Sequence, residues 1–180
     1  DTDTDVQPLN CLWHHGIHKL GSRWTYHWNN SARTGDRTAE VTWYDAATNT
    51  ATIRIDEAWS QSQASATYAA VIIEEVECTE DGLLLLSREK DYTQTIASET
   101  EAGVTTTTYD APGRLLRPNT MAMGDTWTAS YTGVTVGIDG RESQVAGSYT
   151  GEVTEVDIPI NNMFLALRFR ITSDSGSYTE

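Results

Sequence analysis

The chain has 180 residues, with 26 acidic side chains against 12 basic ones and a formal net charge of −14. Such a surface repels phosphate backbones, which argues against nucleic acid as a partner, and no run approaches the ~20 apolar residues of a membrane-spanning helix. A chain of this length hides about 70% of its unfolded surface on folding, enough for a core without a metal or many disulfides.

Asp1-Thr2-Asp3-Thr4-Asp5 alternates carboxylates with hydroxyls as calcium loops do, but Val6 stands where such a loop needs glycine and Leu12 where it needs Glu. It reads as a solvated terminus. A start at Asp1 without Met predicts a processed N-terminus, by loss of a signal peptide or by another cut. Cys11-Leu12-Trp13-His14-His15-Gly16-Ile17-His18 is the densest set of metal-ligating side chains, since thiolate and imidazole suit zinc, copper or haem iron. Its spacing fits no His-Glu-x-x-His, Cys-x-x-Cys or Cys-x-x-Cys-His pattern, so no cofactor is expected. Were a metal bound, His14, His15 and His18 are the candidates. Residues 1–20 otherwise read as an irregular segment covering one end of a sheet, with Trp13 and Ile17 turned inward. Cys11 and Cys78 are the only cysteines, and an even count in a β-rich, processed chain predicts one disulfide between them.

Gly21-Ser22-Arg23-Trp24-Thr25-Tyr26 sets a glycine turn three residues ahead of a tryptophan, then alternates at the strand period of two. Trp24, Tyr26 and Trp28 fall on one face, with Arg23, Thr25 and His27 on the other. Residues 29–36 form a polar loop with a glycosylation sequon at Asn29-Asn30-Ser31. The strand from Thr38 to Asp45 returns, with Val41 and Trp43 assigned to one face. Ala46-Ala47-Thr48-Asn49 turns into Thr50 to Trp59, where Ile53 and Ile55 alternate with Arg54 and Asp56. Ser60 to Ala66 reads as a loop. Tyr68 to Cys78 is apolar on both faces at Val71-Ile72-Ile73, as a central strand is, and Glu74, Glu75 and Glu77 are expected to return it to solvent. Asp81-Gly82 is a hairpin signal leading into Leu83 to Tyr92. Thr-rich Val104 to Tyr109 is a further strand, and Ala111-Pro112-Gly113 ends the first half.

Leu115 to Met123 reads as a plain connection, because Pro118 interrupts sheet pairing. Gly124-Asp125-Thr126-Trp127-Thr128-Ala129 then repeats the opening phrase, placing Trp127, Ala129 and Tyr131 on one face. Asp139-Gly140 turns, and Val145, Tyr149 and Val153 share a face of the next strand. Ile158-Pro159-Ile160-Asn161-Asn162-Met163 is a corner before the alternating Leu165, Leu167, Phe169 and Ile171, and residues 173–180 are a polar tail. Eight Tyr, six Trp and many Thr suit half-buried strands, and no long amphipathic helix is indicated. The prediction is an all-β antiparallel meander, one domain over 21–172 with halves 21–110 and 121–172.

Four phrases occur in a fixed order: Gly21-Ser22-Arg23-Trp24-Thr25-Tyr26, Cys78-Thr79-Glu80-Asp81-Gly82-Leu83, Leu116-Arg117-Pro118 before Gly124-Asp125-Thr126-Trp127, and Ile158-Pro159 before Phe164-Leu165-Ala166-Leu167-Arg168. Together they resemble a broad class of bacterial secreted proteins and lipoproteins, similar to the curved half-barrels of periplasmic lipoprotein carriers. The resemblance implies a single, strongly curved antiparallel sheet, a half-barrel or open barrel. It also implies a place in the periplasm, at the cell surface or in the medium, and it brings no catalytic residues. Two departures stand out. Asn occupies the corner where that class usually has Gly, and the class normally continues by a strand or two where this sequence ends at Glu180, so a truncated chain or a sheet completed by something else is expected.

No Gly-x-Ser-x-Gly elbow, phosphate-binding glycine loop or zinc-protease helix is present, and the chain reads as non-enzymatic, although its many carboxylates leave glycoside hydrolysis open. Trp24, Tyr26, Trp28, Trp43, Trp127 and Tyr131 form either a dry core or the lining of an apolar groove. The expected function is a non-catalytic extracytoplasmic binding or accessory protein for a lipid-like or other hydrophobic ligand. Membrane association would run through a partner or a lipid anchor. The alternative is a structural subunit of a surface or membrane-associated assembly, since an open sheet edge recruits strands.

Overall fold

A computed structural model describes residues 16–29, 33–61, 65–119, 121–160, 164–173 and 176–179. The strands are β1 (Arg23–Asn29), β2 (Thr34–Asp45), β3 (Thr50–Gln61), β4 (Ala66–Cys78), β5 (Gly82–Ile96), β6 (Glu99–Tyr109), β7 (Arg114–Pro118), β8 (Thr126–Val136), β9 (Glu142–Ile160), β10 (Phe164–Ser173) and β11 (Gly176–Thr179). They form one antiparallel sheet in the order β1-β2-β3-β4-β5-β6-β8-β9-β10-β11, with β7 paired to β5 off this path. No pairing among the described residues joins β1 to β11, so the curved sheet stays open. The turns at 46–49 and 139–140 follow the signals read above. β2, however, already begins at Thr34, inside the expected loop, and β9 runs on to Ile160, into the expected corner, because a neighbouring strand pairs each. The polar tail contributes β11 through pairing with β10.

The repeated phrase is a repeated piece of geometry. Gly21 and Gly124 sit at φ of 79° and 83°, a conformation that glycine adopts without a Cβ penalty. The amide of Gly21 donates to the Val41 carbonyl at 2.8 Å, and the Val41 amide donates back to Ser22 at 2.9 Å. In the second half Gly124 donates to Val153 at 3.0 Å and Val153 donates to Asp125 at 2.9 Å. Trp24 then faces Ala39, and Trp127 faces Gly151, each two residues before the clamping valine. Both valines are fully buried. Each indole therefore lies where the facing strand offers a small residue, which frees the space the ring needs.

Two clusters make the core, and both belong to the inner face of the curve. The first gathers Val41, Ile53, Ile55, Ile72, Val76 and Leu85, with Trp24 packed beside it and Ile17 inserted from the N-terminal segment as expected. The second joins Trp127, Ala129, Tyr149, Val153 and Ile171. Removing such aliphatic side chains from water supplies about 1.5–3 kcal/mol each, which favours the curvature of the single layer around its inner face.

Two expectations give way here. Val41 and Trp43 do not share a face: the register slips between them, with Val41 opposite Ile53 and Trp43 opposite Thr52. Thr42 is the extra residue of a β-bulge, and it turns Trp43 outward to 49% exposure. The stretch after Gly113 is not a plain connection either, because residues 114–118 pair with β5 as β7. Pro118 is tolerated as the last residue of that strand, opposite Gly82. A Cβ on Gly82 would lie 2.1 Å from the Arg117 carbonyl oxygen, so only glycine lets the two backbones approach.

A Cβ on Gly151 would lie 2.1 Å from the Trp127 ring. Gly151→Ala is expected to destabilise the protein by about 1–3 kcal/mol in urea unfolding, through displacement of a packed indole. Ser148→Ala, on the outer face of the same strand, should stay within about 0.5 kcal/mol.

Candidate functional site

Because side chains alternate, every second residue of β3 and β4 points to the inner face. Leu83, Leu85, Arg88, Lys90 and Tyr92 of β5 do so too, on either side of a bulge at Leu86. The polar ends of these strands place rings there rather than aliphatic groups. Trp59 on β3 faces Tyr68 on β4, with ring centroids 5.3 Å apart and planes 14° from parallel. Tyr68 stacks in turn on Tyr92 of β5 at 6.4 Å and 22°. Cations close both ends of this ladder. The Arg33 guanidinium lies 4.3 Å from the Trp59 ring, and Lys90 Nζ lies 4.6 Å from Tyr92. Each contact matches a cation to the negative face of a ring. The Tyr92 hydroxyl donates to a Glu101 carboxylate oxygen at 2.6 Å, and this bond holds the phenol above its ordinary pKa. Burial does the same to Tyr68. All three rings are half-buried, so the ladder keeps contact with solvent.

Beside the ladder, Glu74 of β4 faces Arg88 of β5. Arg88 Nε donates to Glu74 Oε1 at 2.8 Å, and Nη2 donates to the same oxygen. Burial works against the arginine's charge, but the charge and hydrogen bonds of Glu74 outweigh it and raise the Arg88 pKa. Glu74 was expected in solvent with Glu75 and Glu77, yet it is 6% exposed. The reason is register: Ile72, Glu74, Val76 and Cys78 share the inner face by period two, and only Glu75 points fully outward. Spacing alone could have revealed this, had the alternation been carried past Ile73.

The second half continues the band. Tyr109 of β6 meets Tyr131 of β8 edge to face, with centroids 5.6 Å apart and an angle of 84°. Arg114 on β7 lies 4.7 Å from the Tyr131 ring and 5.6 Å from Tyr149 of β9. The outer face is chemically different. A depression of about 520 Å³ there is lined by Ala58, Ala69, Asp36, Asp56 and Asp91 among others. Asp36 accepts from or is paired with His27 Nδ1 at 2.7 Å, and Asp56 binds Arg54 at 2.8 Å.

The six aromatic residues singled out by sequence do not line one groove. Trp24 joins the first cluster, while Trp127 and Tyr131 belong to the second. Tyr26 is exposed and Trp43 faces outward. Trp28 pairs with Gly35 through its backbone, and its side chain lies outside the described residues. Cys11, His14 and His15 also lie outside them, Cys78 is buried, and His18 is half-buried. Among the described residues no three metal-ligating side chains cluster. What the sequence reading missed is the cross-strand set Trp59, Tyr68, Tyr92, Tyr109, Tyr149, Arg88 and Arg114. Their only linear signal was an aromatic or cationic residue at inner positions toward the polar strand ends. Compared with protein-family models, curated proteins and solved structures, the chain matches none.

Truncating Glu74 strands the Arg88 guanidinium in a largely buried position, although the arginine side chain is 34% exposed and can turn toward water. Glu74→Ala is expected to cost about 2–3 kcal/mol in urea unfolding, below the full penalty of a broken buried pair. Glu74→Leu combined with Arg88→Met should recover most of that loss.

Proposed function

We propose that this chain is a non-catalytic binding or accessory protein that works outside the cytoplasm and holds a lipid-like, amphiphilic molecule against the inner face of its curved sheet. The observation that carries the reading is the unsealed ring band. Trp59, Tyr68, Tyr92, Tyr109 and Tyr131 remain half-buried on the inner face, while the aliphatic clusters beside them are dry. Apolar surface left partly open on a concave face, with a few placed polar groups, is what small-molecule sites offer. The rings carry no nucleophile–base pair, which is why a binding role is preferred to a catalytic one. The secreted and lipoprotein character rests on the resemblance in the four ordered phrases.

A disulfide between Cys11 and Cys78 belongs to the same reading. Supporting it are the even cysteine count and the burial of Cys78 at the end of β4. Closing that loop would stabilise the fold by about 4 kcal/mol on the chain-entropy model. A second reading, a subunit of a larger assembly, is favoured by the open strand order, because unclosed sheets accept strands from neighbours.

Native mass spectrometry after gentle extraction should show the 19.9 kDa chain carrying a small amphiphile. A bare chain that also fails to take up added lipid would sink the ligand-binding role, and a concentration-dependent mass in light scattering would move the assembly reading to the front. Peptide mapping without reductant should recover the Cys11 and Cys78 peptides linked, and two free thiols would refute the bridge.

A further inference from the structure

We propose that Arg114, which lies near the rings of Tyr131 and Tyr149, is an oxyanion site that binds the carboxylate or phosphate head of the ligand; this rests on the amphiphile-binding role proposed above. Arg114 opens β7, opposite Leu85, whose side chain belongs to the first core cluster. Its guanidinium carbon lies 4.7 Å from the Tyr131 ring and 5.6 Å from the Tyr149 ring. Two rings thus turn their negative π-systems toward one cation. The Arg114 Nε is buried and has no hydrogen-bond partner among the described residues. No carboxylate pairs with it there either, in a chain whose 26 acidic residues outnumber its 12 basic ones. Arg54, Arg88, Arg141 and Arg170, by contrast, each meet an Asp or Glu.

A half-buried guanidinium with no carboxylate paired to it among the described residues is suited to a planar oxyanion, which it can meet through two parallel N–H bonds. Arg117, three residues on and 5% exposed, faces Leu83 and adds positive charge to the same strand. Around Arg114 the surroundings are apolar. Leu115, Met121 and Tyr131 pack against the cluster of Trp127, Ala129 and Val153. An anion with an apolar body satisfies both features at once: the head completes the donors of Arg114, and the body lies on rings and aliphatic groups. A free inorganic anion would use only the first.

Calorimetric titration of the full chain with decanoate, 1-decanol, acetate and inorganic phosphate separates these cases. Decanoate should bind more tightly than 1-decanol. Arg114→Met, which keeps an unbranched apolar stem, should weaken decanoate by about tenfold to a hundredfold and leave 1-decanol within about twofold. Arg114→Lys, with the charge but without the fork, should fall between. In the unmutated chain decanoate, but not 1-decanol, should slow modification of Arg114 by phenylglyoxal, a readout that does not depend on any variant folding. If decanoate binds the chain yet ignores Arg114→Met, or leaves Arg114 unprotected, the oxyanion site is wrong and the amphiphile role survives. If only acetate or phosphate binds, and binding depends on Arg114, the site stands and the amphiphile role falls. If none of the four binds, both fail.

Discussion

An indole laid across a strand onto a small residue, with a valine two positions on locking the chain that delivers it, is the contact on which the rest of the sheet depends. It occurs once in each half, as Trp24 over Ala39 with Val41 and as Trp127 over Gly151 with Val153. The two hydrogen bonds exchanged by each valine align the turn glycine with the second strand of its hairpin, and the strand register follows from that alignment. Once the register is set, period two decides every inner side chain over the length of the pair. The fold therefore behaves as two curved ribbons started the same way and joined edge to edge by β6 and β8.

β7 shows what the join requires. β6 pairs with the later part of β5, from Ser87 to Ile96, and leaves the Gly82–Leu85 part without a neighbour on that side. β7 fills it, and in doing so brings Arg114 and Arg117 to the seam between the two core clusters. A charged side chain placed at such a seam is costly unless it is paired or stacked. Arg88 is paired with Glu74, and Arg114 lies near the rings of Tyr131 and Tyr149. The seam thus builds polar chemistry into apolar surroundings, as the ring ladder does toward the other end of β3, β4 and β5.

The strand-length division of the inner face has the same logic. Aliphatic residues fill it at one end of β3, β4 and β5, from Ile53 and Ile55 through Ile72 and Val76 to Leu85. Toward the other end the inner positions become Trp59, Tyr68 and Tyr92, flanked by Arg33, Lys90 and Glu101. Rings can be half-wet at little cost because each has a polar edge or tip, whereas a leucine in that position would expose only carbon. The dry end provides stability, and the ring-lined end keeps surface open.

Local pattern by itself determined the all-β class, the hairpin order, the two tryptophan-led halves and most inner positions, because turn residues and alternation act within a few residues of chain. It also placed Ile17 inward, whereas Leu20, three residues on, stays exposed. Tertiary structure alone decided that Thr42 bulges and turns Trp43 outward, that residues 114–118 become a strand, and that Glu74 lies inside against Arg88. Each of those outcomes depends on what a neighbouring strand presents at one register position. Whether Pro118 ends a strand or breaks one is settled by Gly82 across from it, and whether Arg114 meets water or two tyrosines is settled by β8 and β9. Such cross-strand information is spread over residues far apart in the chain, and no local period carries it.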